Sequence, residues 1–489
     1  MTSSKSTKRA LITSALAILM CAAMLIGTTF AWFTDTASTG VNKIVSGNLK
    51  VDIIGADSDS HIEKLNFTKA AVTDAEAGAE ILWEPGCRYL TEGFRIANKG
   101  NLALKWKAQV NKGATAANAN HADLLDVIDF YLVTSKDAND MGTALDEFSG
   151  KLEKNATSGV YYIKGVMKTT AGNDYQGLTL DGISITVVAT QDTVENDSFN
   201  NQYDKDAEYP ILVTTGDQLQ ATVNNATAPV NIVLTNSITT NNFVIPADKD
   251  VTLDLNGRTV TNAGSHTILN KGHLTLTDSS TDKSGQIISL KGNTAALRNG
   301  DNAVCVIEGG TISRDGAEGN TWHVVENFGK MTFNGGKVVL KNGNGFAITN
   351  GWNYFDPGAS TTHAVMEINA LELDTDSSGI KNCRYGDLTV NDVTVTSTGY
   401  WALSNDYLGT AVINGGTLTS NTFKAVSNGA AMTVNGGTFN GTQGFFVQSY
   451  ATSTVLNGGT FANMSVDALS NYVGTGHTAQ QNGTSVIIK

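Results

Sequence analysis

Ile413-Asn414-Gly415-Gly416-Thr417-Leu418 recurs as Val434-Asn435-Gly436-Gly437-Thr438-Phe439 and again as Leu456-Asn457-Gly458-Gly459-Thr460-Phe461, with the asparagines 21 and 22 residues apart. A fixed period of this length marks a coil stacked on copies of itself. Beside each turn apolar residues alternate over three to five positions, as in Met432-Thr433-Val434 and Met331-Thr332-Phe333. That is strand period, in runs too short for helices. Asn-Gly-Gly supplies the positive φ angles that let such strands turn sharply.

A second mark follows in several repeats, a small or apolar pair, a polar residue and then Asn. It reads Ala296-Leu297-Arg298-Asn299, Val324-Val325-Glu326-Asn327, Ala347-Ile348-Thr349-Asn350, Ala402-Leu403-Ser404-Asn405 and Ala425-Val426-Ser427-Asn428. Stacked coils put equivalent asparagines in a column, where each amide donates to the next and satisfies itself inside a turn. The expected fold of residues 230–489 is therefore a right-handed parallel β-helix. Asn or its equivalent stands at 236, 256, 278, 308, 334, 369, 391, 414, 435 and 457, mostly 20 to 23 residues apart and at most 35. At roughly 4.8 Å per coil the rod is on the order of 40 Å long.

Working outward, residues 206–229 read as linker and cap. Leu219 and Val223 share one face of a short helix over Thr215 to Val223, which would cover the first open coil. Gln191 to Pro210 holds Asp192, Glu195, Asp197, Asp204 and Asp206. Their spacing fits no calcium loop, so a solvated linker is expected and no metal is assigned. Upstream, Leu104, Trp106, Ala108 and Val110 alternate with polar residues, as do Leu49, Val51 and Ile53, and Ile183, Ile185 and Val187. Strands with one apolar face each need a second sheet to cover them, so residues 32–205 read as a β-sandwich. The whole chain is expected to be all-β, with a short helical insertion near Leu124, Leu125 and Ile128.

Residues 1–31 read as an export signal. Lys5, Lys8 and Arg9 precede an apolar run from Ala10 to Ile26, and Thr29-Phe30-Ala31 forms a small-x-small site before Trp32. Cleavage between Ala31 and Trp32 by a signal peptidase would leave no stable membrane anchor and change the net charge from −13 to −16. Fifty glycines against five prolines and only 16% charged residues suit a turn-rich secreted protein. The acidic balance argues against nucleic acid as a partner. Cys87, Cys305 and Cys383, the cysteines beyond the leader, form no disulfide framework or metal-ligand spacing. No cofactor is assigned.

Thr29-Phe30-Ala31-Trp32-Phe33-Thr34-Asp35-Thr36, followed by Ser46-Gly47-Asn48-Leu49-Lys50-Val51, resembles the start of the exported TasA and camelysin family of Gram-positive bacteria. Glu84-Pro85-Gly86 and Phe94 to Lys105 are similar to that family's Pro-Gly turn and Asn-x-Gly hairpin. The resemblance covers about residues 1–205. It implies a jelly-roll-like sandwich, a dedicated signal peptidase, and assembly into matrix fibres in which an N-terminal strand, here Trp32 to about Val45, completes a neighbour's sheet. The repeat region departs from the family pattern.

Candidate contacts for a glycan are Trp322, Trp352, Tyr354 and Trp401. Trp322, Trp401, Phe423 and Phe446 precede their Asn-Gly-Gly by 11 to 13 residues, and Gly351-Trp352-Asn353-Tyr354-Phe355-Asp356-Pro357 reads as an aromatic loop. Outward rings could stack on sugars. Buried aromatics are the commoner case, so an inward core stack is the first expectation. β-Helices also resemble pectate lyases and polygalacturonases, and Asp374, Asp376, Arg384, Asp392 and Asp406 fall in neighbouring coils. No signature of those enzymes, no Gly-His-Gly and no His-Glu-x-x-His zinc motif occurs, so no catalytic residue is assigned and enzyme activity is not expected. The expectation is a secreted structural or adhesive protein of the cell surface or biofilm matrix, with a glycan-binding adhesin and a polysaccharide lyase or hydrolase as alternatives. No Leu-Pro-x-Thr-Gly sorting motif ends the chain.

Overall fold

A computed structural model describes residues 49–62, 65–68, 83–137, 140–192, 209–315, 322–352 and 362–489. The export signal, the Ala31–Trp32 cleavage site, the donor segment 32–45, Tyr354 and the linker acids Glu195, Asp197, Asp204 and Asp206 lie outside these residues. The described chain is all-β, with short helices only at Gly216–Asn225 and Val466–Leu469 beside a few 3-10 turns.

The N-terminal strands form a sandwich. Leu104–Thr115 pairs antiparallel with Leu180–Gln191 on one side and Glu147–Leu152 on the other. Arg88–Thr91, Tyr162–Met167 and Ile128–Val133 lie side by side in a second sheet. Leu104, Trp106 and Ala108 face inward and are buried with Phe94, Ile96, Phe130 and Ile163, as the alternation at 104–110 requires. The edge of Phe148 meets Trp106 at 5.6 Å between ring centres. The Asn-x-Gly hairpin expected after Phe94 needs correction. Phe94–Asn98 pairs with Val51–Gly55, whereas Leu104–Thr115 belongs to another sheet. The segment between them crosses from sheet to sheet, and the Asn98 amide pins it by donating to the carbonyls of Leu102 and Leu152. A turn that must change layers cannot keep its two flanking strands in register.

From Ile211 onward each coil contributes one strand to each of three sheets, which among the described residues hold 11, 12 and 9 strands, all parallel except the closing hairpin that adds the last two of the 12. The architecture is a right-handed parallel β-helix. Strict register turns the period-2 pattern into columns. Leu253, Leu276, Ile307, Phe333, Ile368, Val390, Ile413, Val434 and Leu456 stack inside the first sheet. Val260, Ile287, Ile312, Val338, Leu373, Val395, Leu418, Phe439 and Phe461 stack inside the second. Ile268, Leu297, Val325, Ile348, Ile380, Leu403, Val426 and Phe445 do so in the third. Each such side chain removed from water contributes about 2 kcal/mol, so the columns hold the rod together. Cys305 is one of the stacked core residues, between Leu274 and Met331.

Two asparagine ladders run along the rod. At the end of the third-sheet strands Asn270 donates to the Oδ1 of Asn299, and the bond recurs at 2.7–2.9 Å through Asn327, Asn350, Asn382 and Asn405 to Asn428. All seven are buried. At the exposed corner between the first and second sheets Asn457 donates to Asn435, which donates to Asn414, and the series continues through Asn391, Asn369 and Asn334 to Glu308. This second ladder belongs to Asn-Gly-Gly. Its second glycine takes the positive φ, at Gly416, Gly437 and Gly459 among others.

Both ends are covered. The helix Gly216–Asn225 starts on the Thr215 hydroxyl, which accepts from the Gln218 N–H at 3.1 Å, and buries Leu219 and Val223. At the far end Ser485–Ile488 runs antiparallel to Gly459–Phe461 and is covered by Ala479–Asn482.

Candidate functional site

The outer face of the third sheet differs from the other two. Its outward positions in successive coils are Arg298, Glu326, Thr349, Lys381, Ser404, Ser427 and Phe446, each in register with the next. All but Phe446 are polar residues that precede a buried asparagine. Asparagine points in, so its predecessor points out.

Aromatic rings rise along the edge where each coil enters this sheet. His323 and Phe346 share one register position, which passes through Ser378 to Trp401 and Lys424. Ser378 is buried at this position, but Trp322, Phe346, Trp401, Phe423 and Lys424 are all half-buried, each with part of its surface open to solvent. The expected inward stack of Trp322, Trp401 and Phe423 is therefore corrected. The core columns already fill the interior, and these rings fall at the corner outside them. Phe346 and Trp401 are 6.4 Å apart and parallel to within 7°. Trp401 meets Phe423 edge-on at 5.2 Å. Phe446 does not share their angle; it lies on the sheet itself, with the Lys424 Nζ 3.2 Å from its ring centre.

The opposite edge, where coils leave the sheet, carries a second group. Trp352 packs on Phe328 at 4.5 Å between ring centres, and the Arg298 guanidinium covers Phe328 at 4.7 Å. Arg384 pairs with the Trp352 backbone, lies over Tyr385 and donates to its hydroxyl. Further along stand Tyr407, Leu408 and Tyr450. With Tyr400 on the facing edge they are four of the large apolar side chains that the described chain leaves exposed, at 38–54%. The two edges enclose a shallow trough with a polar floor, and the strands that floor it, three to five residues long, make it about 10–17 Å wide.

Electrostatics vary along the floor. The Glu326 carboxylate accepts from Arg298 at 3.0 Å and is almost wholly buried; burial pushes its pKa up, against the Arg298 charge and the Trp322 indole. Burial likewise holds the His323 imidazole down to about 4. Its Nδ1 lies near both the carbonyl and the N–H of Phe346, so either neutral tautomer keeps a bond there. Lys381 pairs with Asp406 at 3.2 Å. The Cys383 thiol is pushed up to about 12 by burial, which makes it a packing group. Among the described residues the indole N–H groups of Trp352 and Trp401 and the Nε–H groups of Arg314 and Arg384 are buried without a hydrogen-bond partner.

Of the four residues expected to contact a glycan, Trp322 and Trp401 stand on one edge and Trp352 on the other, while Tyr354 is outside the described residues. Asp374, Asp376, Asp392 and Asp406 are not brought together. Asp374 pairs with Lys341 on the second sheet, and Asp376 accepts from the Asn342 N–H at the next turn. Asp392 follows the exposed ladder at the first corner, and Asp406 sits where the third sheet ends. Glu326 and Asp406 are separated by three coils, roughly 14 Å along the rod, beyond the ~5–9.5 Å that glycosidase carboxylate pairs span. Among the described residues no group of three or more His, Cys, Asp or Glu is placed to hold a metal ion, and no helix is long and apolar enough to cross a membrane. Asp192, the one linker acid in view, pairs with Lys151 at 2.9 Å.

Aligning the coils on Asn-Gly-Gly missed Phe346, Tyr400, Lys424, Phe328 and Glu326. Aligning them on the buried asparagine finds the edge directly, since His323, Phe346, Ser378, Trp401 and Lys424 each stand four residues before it.

No family model matches the sequence, and no curated relative does. Among solved structures the chain is similar to the catalytic domain of a GH87 alpha-1,3-glucanase in complex with tetrasaccharides, at 11% identity and a TM-score of 0.20, over 83% of this chain and 99% of that one. That neighbour is a catalytic domain, so the expectation of a protein without enzyme activity is withdrawn. At this TM-score the likeness assigns no reaction and no residues. What the chain itself establishes is its architecture, a right-handed parallel β-helix in an all-β protein.

Proposed function

We propose that this protein is exported and binds polysaccharide along the outer face of the third sheet, as an adhesive component of the cell surface or extracellular matrix. The observation that carries the reading is the outward aromatic edge at Trp322, Phe346, Trp401 and Phe423, facing Trp352, Tyr407 and Tyr450 across a floor of serine, threonine and paired charges. Apolar faces of sugar rings pack on aromatics while their hydroxyls bond a polar floor. Coils of equal height space these contacts at a regular step along a polymer. Export rests on the leader at residues 1–31 and the family resemblance at the start of the chain. Assembly into fibres through Trp32 to Val45 rests on that resemblance alone.

The test is binding of the chain from Trp32 to Lys489 to a panel of soluble and insoluble polysaccharides. Trp401→Ala and Trp352→Ala are each expected to weaken binding at least about tenfold, as truncation of a central tryptophan does. Binding unchanged in both variants, or absent from the whole panel, sinks the reading. The same incubations report any released sugar, and so register cleavage as well as capture. Electron microscopy of this chain beside one starting after Val45 tests assembly. Fibres with the longer chain only would support strand exchange, and discrete particles from both would end that part of the proposal.

A further inference from the structure

Resting on that glycan-binding reading, we propose that the trough selects anionic polysaccharides and that Lys424 receives their acid groups. The cations on this face are not equivalent. Arg298 is bonded to Glu326 at 3.0 Å and Lys381 to Asp406 at 3.2 Å, so each carries its counter-ion within the fold. Lys424 has no carboxylate partner among the described residues, and neither has Arg384 on the opposite edge, whose guanidinium donates to the Tyr385 hydroxyl. The Lys424 ammonium is held instead by rings, 3.2 Å from the centre of Phe446 and 5.6 Å from that of Phe423.

Aromatic faces attract a cation without neutralising it, and they displace part of its water. The result is a fixed, uncompensated positive charge with up to three N–H donors, at the position where the neighbouring coil carries Trp401. A sugar stacked on Trp401 would therefore present the substituents of the next residue to Lys424. Glu326 and Asp406, the acids that face the trough from neighbouring strands, are already engaged. The chain as a whole carries −13, but at about 0.1 M salt charges more than roughly 10 Å away are largely screened, and the local cation governs. A carboxylate on a uronic acid and a sulfate ester on a neutral sugar offer the same chemistry here, an anionic oxygen cluster beside an apolar ring face.

The experiment compares dextran, dextran sulfate and polygalacturonate as ligands for the chain from Trp32 to Lys489 and for Lys424→Met, Lys424→Arg and Lys337→Met, at low and at 0.5 M salt. Dextran sulfate, polygalacturonate or both are expected to bind about fivefold or more tighter than dextran at low salt, the scale of one favourable charge contact. Which of the two gains identifies the acid group. Lys424→Met should erase the preference and keep the aliphatic stem packed, Lys424→Arg should retain it, and Lys337→Met, on the second sheet, should leave it unchanged. The inference is overturned, with the glycan reading intact, if dextran binds as tightly as both anionic polymers or if Lys424→Met keeps the wild-type preference. Failure of all three polymers together with the wider panel removes both.

Discussion

At the scale of single residues, the two asparagine ladders set identical side chains in opposite surroundings. Asn382 is buried, donates to Asn405 at 2.8 Å and to the carbonyls of Gly386 and Thr410 at 2.9 Å, and accepts from Asn350. Replacing it with alanine leaves an amide N–H and several carbonyl oxygens without partners in a site water cannot easily enter. Each orphaned buried group costs about 1–3 kcal/mol. Asn414 makes similar bonds to its neighbours at the exposed corner, where water substitutes for whatever is lost. Asn382→Ala is therefore expected to destabilise the rod by about 3 kcal/mol and Asn414→Ala by less than about 1 kcal/mol. Equal shifts of the two variants in chemical denaturation, read by strand circular dichroism, would mean that the buried amides are not what holds the column.

Elements bring the question of edges. A stacked coil ends in unpaired N–H and C=O groups, a template for a second chain. Leu219 and Val223 close the first coils from the helix Gly216–Asn225, and the strand Ser485–Ile488 closes the last by pairing antiparallel with Gly459–Phe461. Ending the chain at Met464 would strip that second cover and bare both the strand edge and the ring of Phe461, which stacks on Phe439 at 4.8 Å. Association into dimers or larger species is expected, measured by light scattering after size exclusion; a truncated chain that stays monomeric would show that the hairpin is no cap. The helix at 216–225 was legible in the sequence, because an amphipathic pair beside a capping threonine is a local signal. So were the coils, whose Asn-Gly-Gly turns state the period and whose alternation states which residues face in. The orientation of Trp401 was not. A corner residue has no neighbour at period 2 to fix its side, and only the register with Lys424 in the next coil decides it. The layer change after Asn98 escaped for a similar reason, since its strands are told apart by partners far along the chain.

The whole rod behaves as a line of nearest neighbours, for each coil touches only the one before and the one after. Its stability is then a sum of coil terms and interface terms, and one weak interface divides it. Gly379 offers a way to make one. It lies near the middle of the rod in Ser378–Asn382, its φ is not in the left-handed region, and a Cβ there would run into the carbonyl oxygen of Ala402 in the next coil while meeting the Val395 side chain at 3.0 Å. Gly379→Ala therefore acts as a wedge between two coils, at a cost of about 1–3 kcal/mol. The coils before it keep the helical cap and their own columns, and those after it keep the terminal hairpin. Hydrogen exchange across a denaturant series should show protection in the strands Val230–Leu234 through Phe346–Asn350 and in Leu403–Asn405 through Ser453–Leu456 lost at the same concentration in the wild type and at different concentrations in the variant. Gly172→Ala, where a Cβ meets nothing within 4 Å, should leave the profile unchanged. A single shared transition in Gly379→Ala, merely displaced to lower denaturant, would show that the coils are coupled beyond their neighbours and that the rod melts as one body.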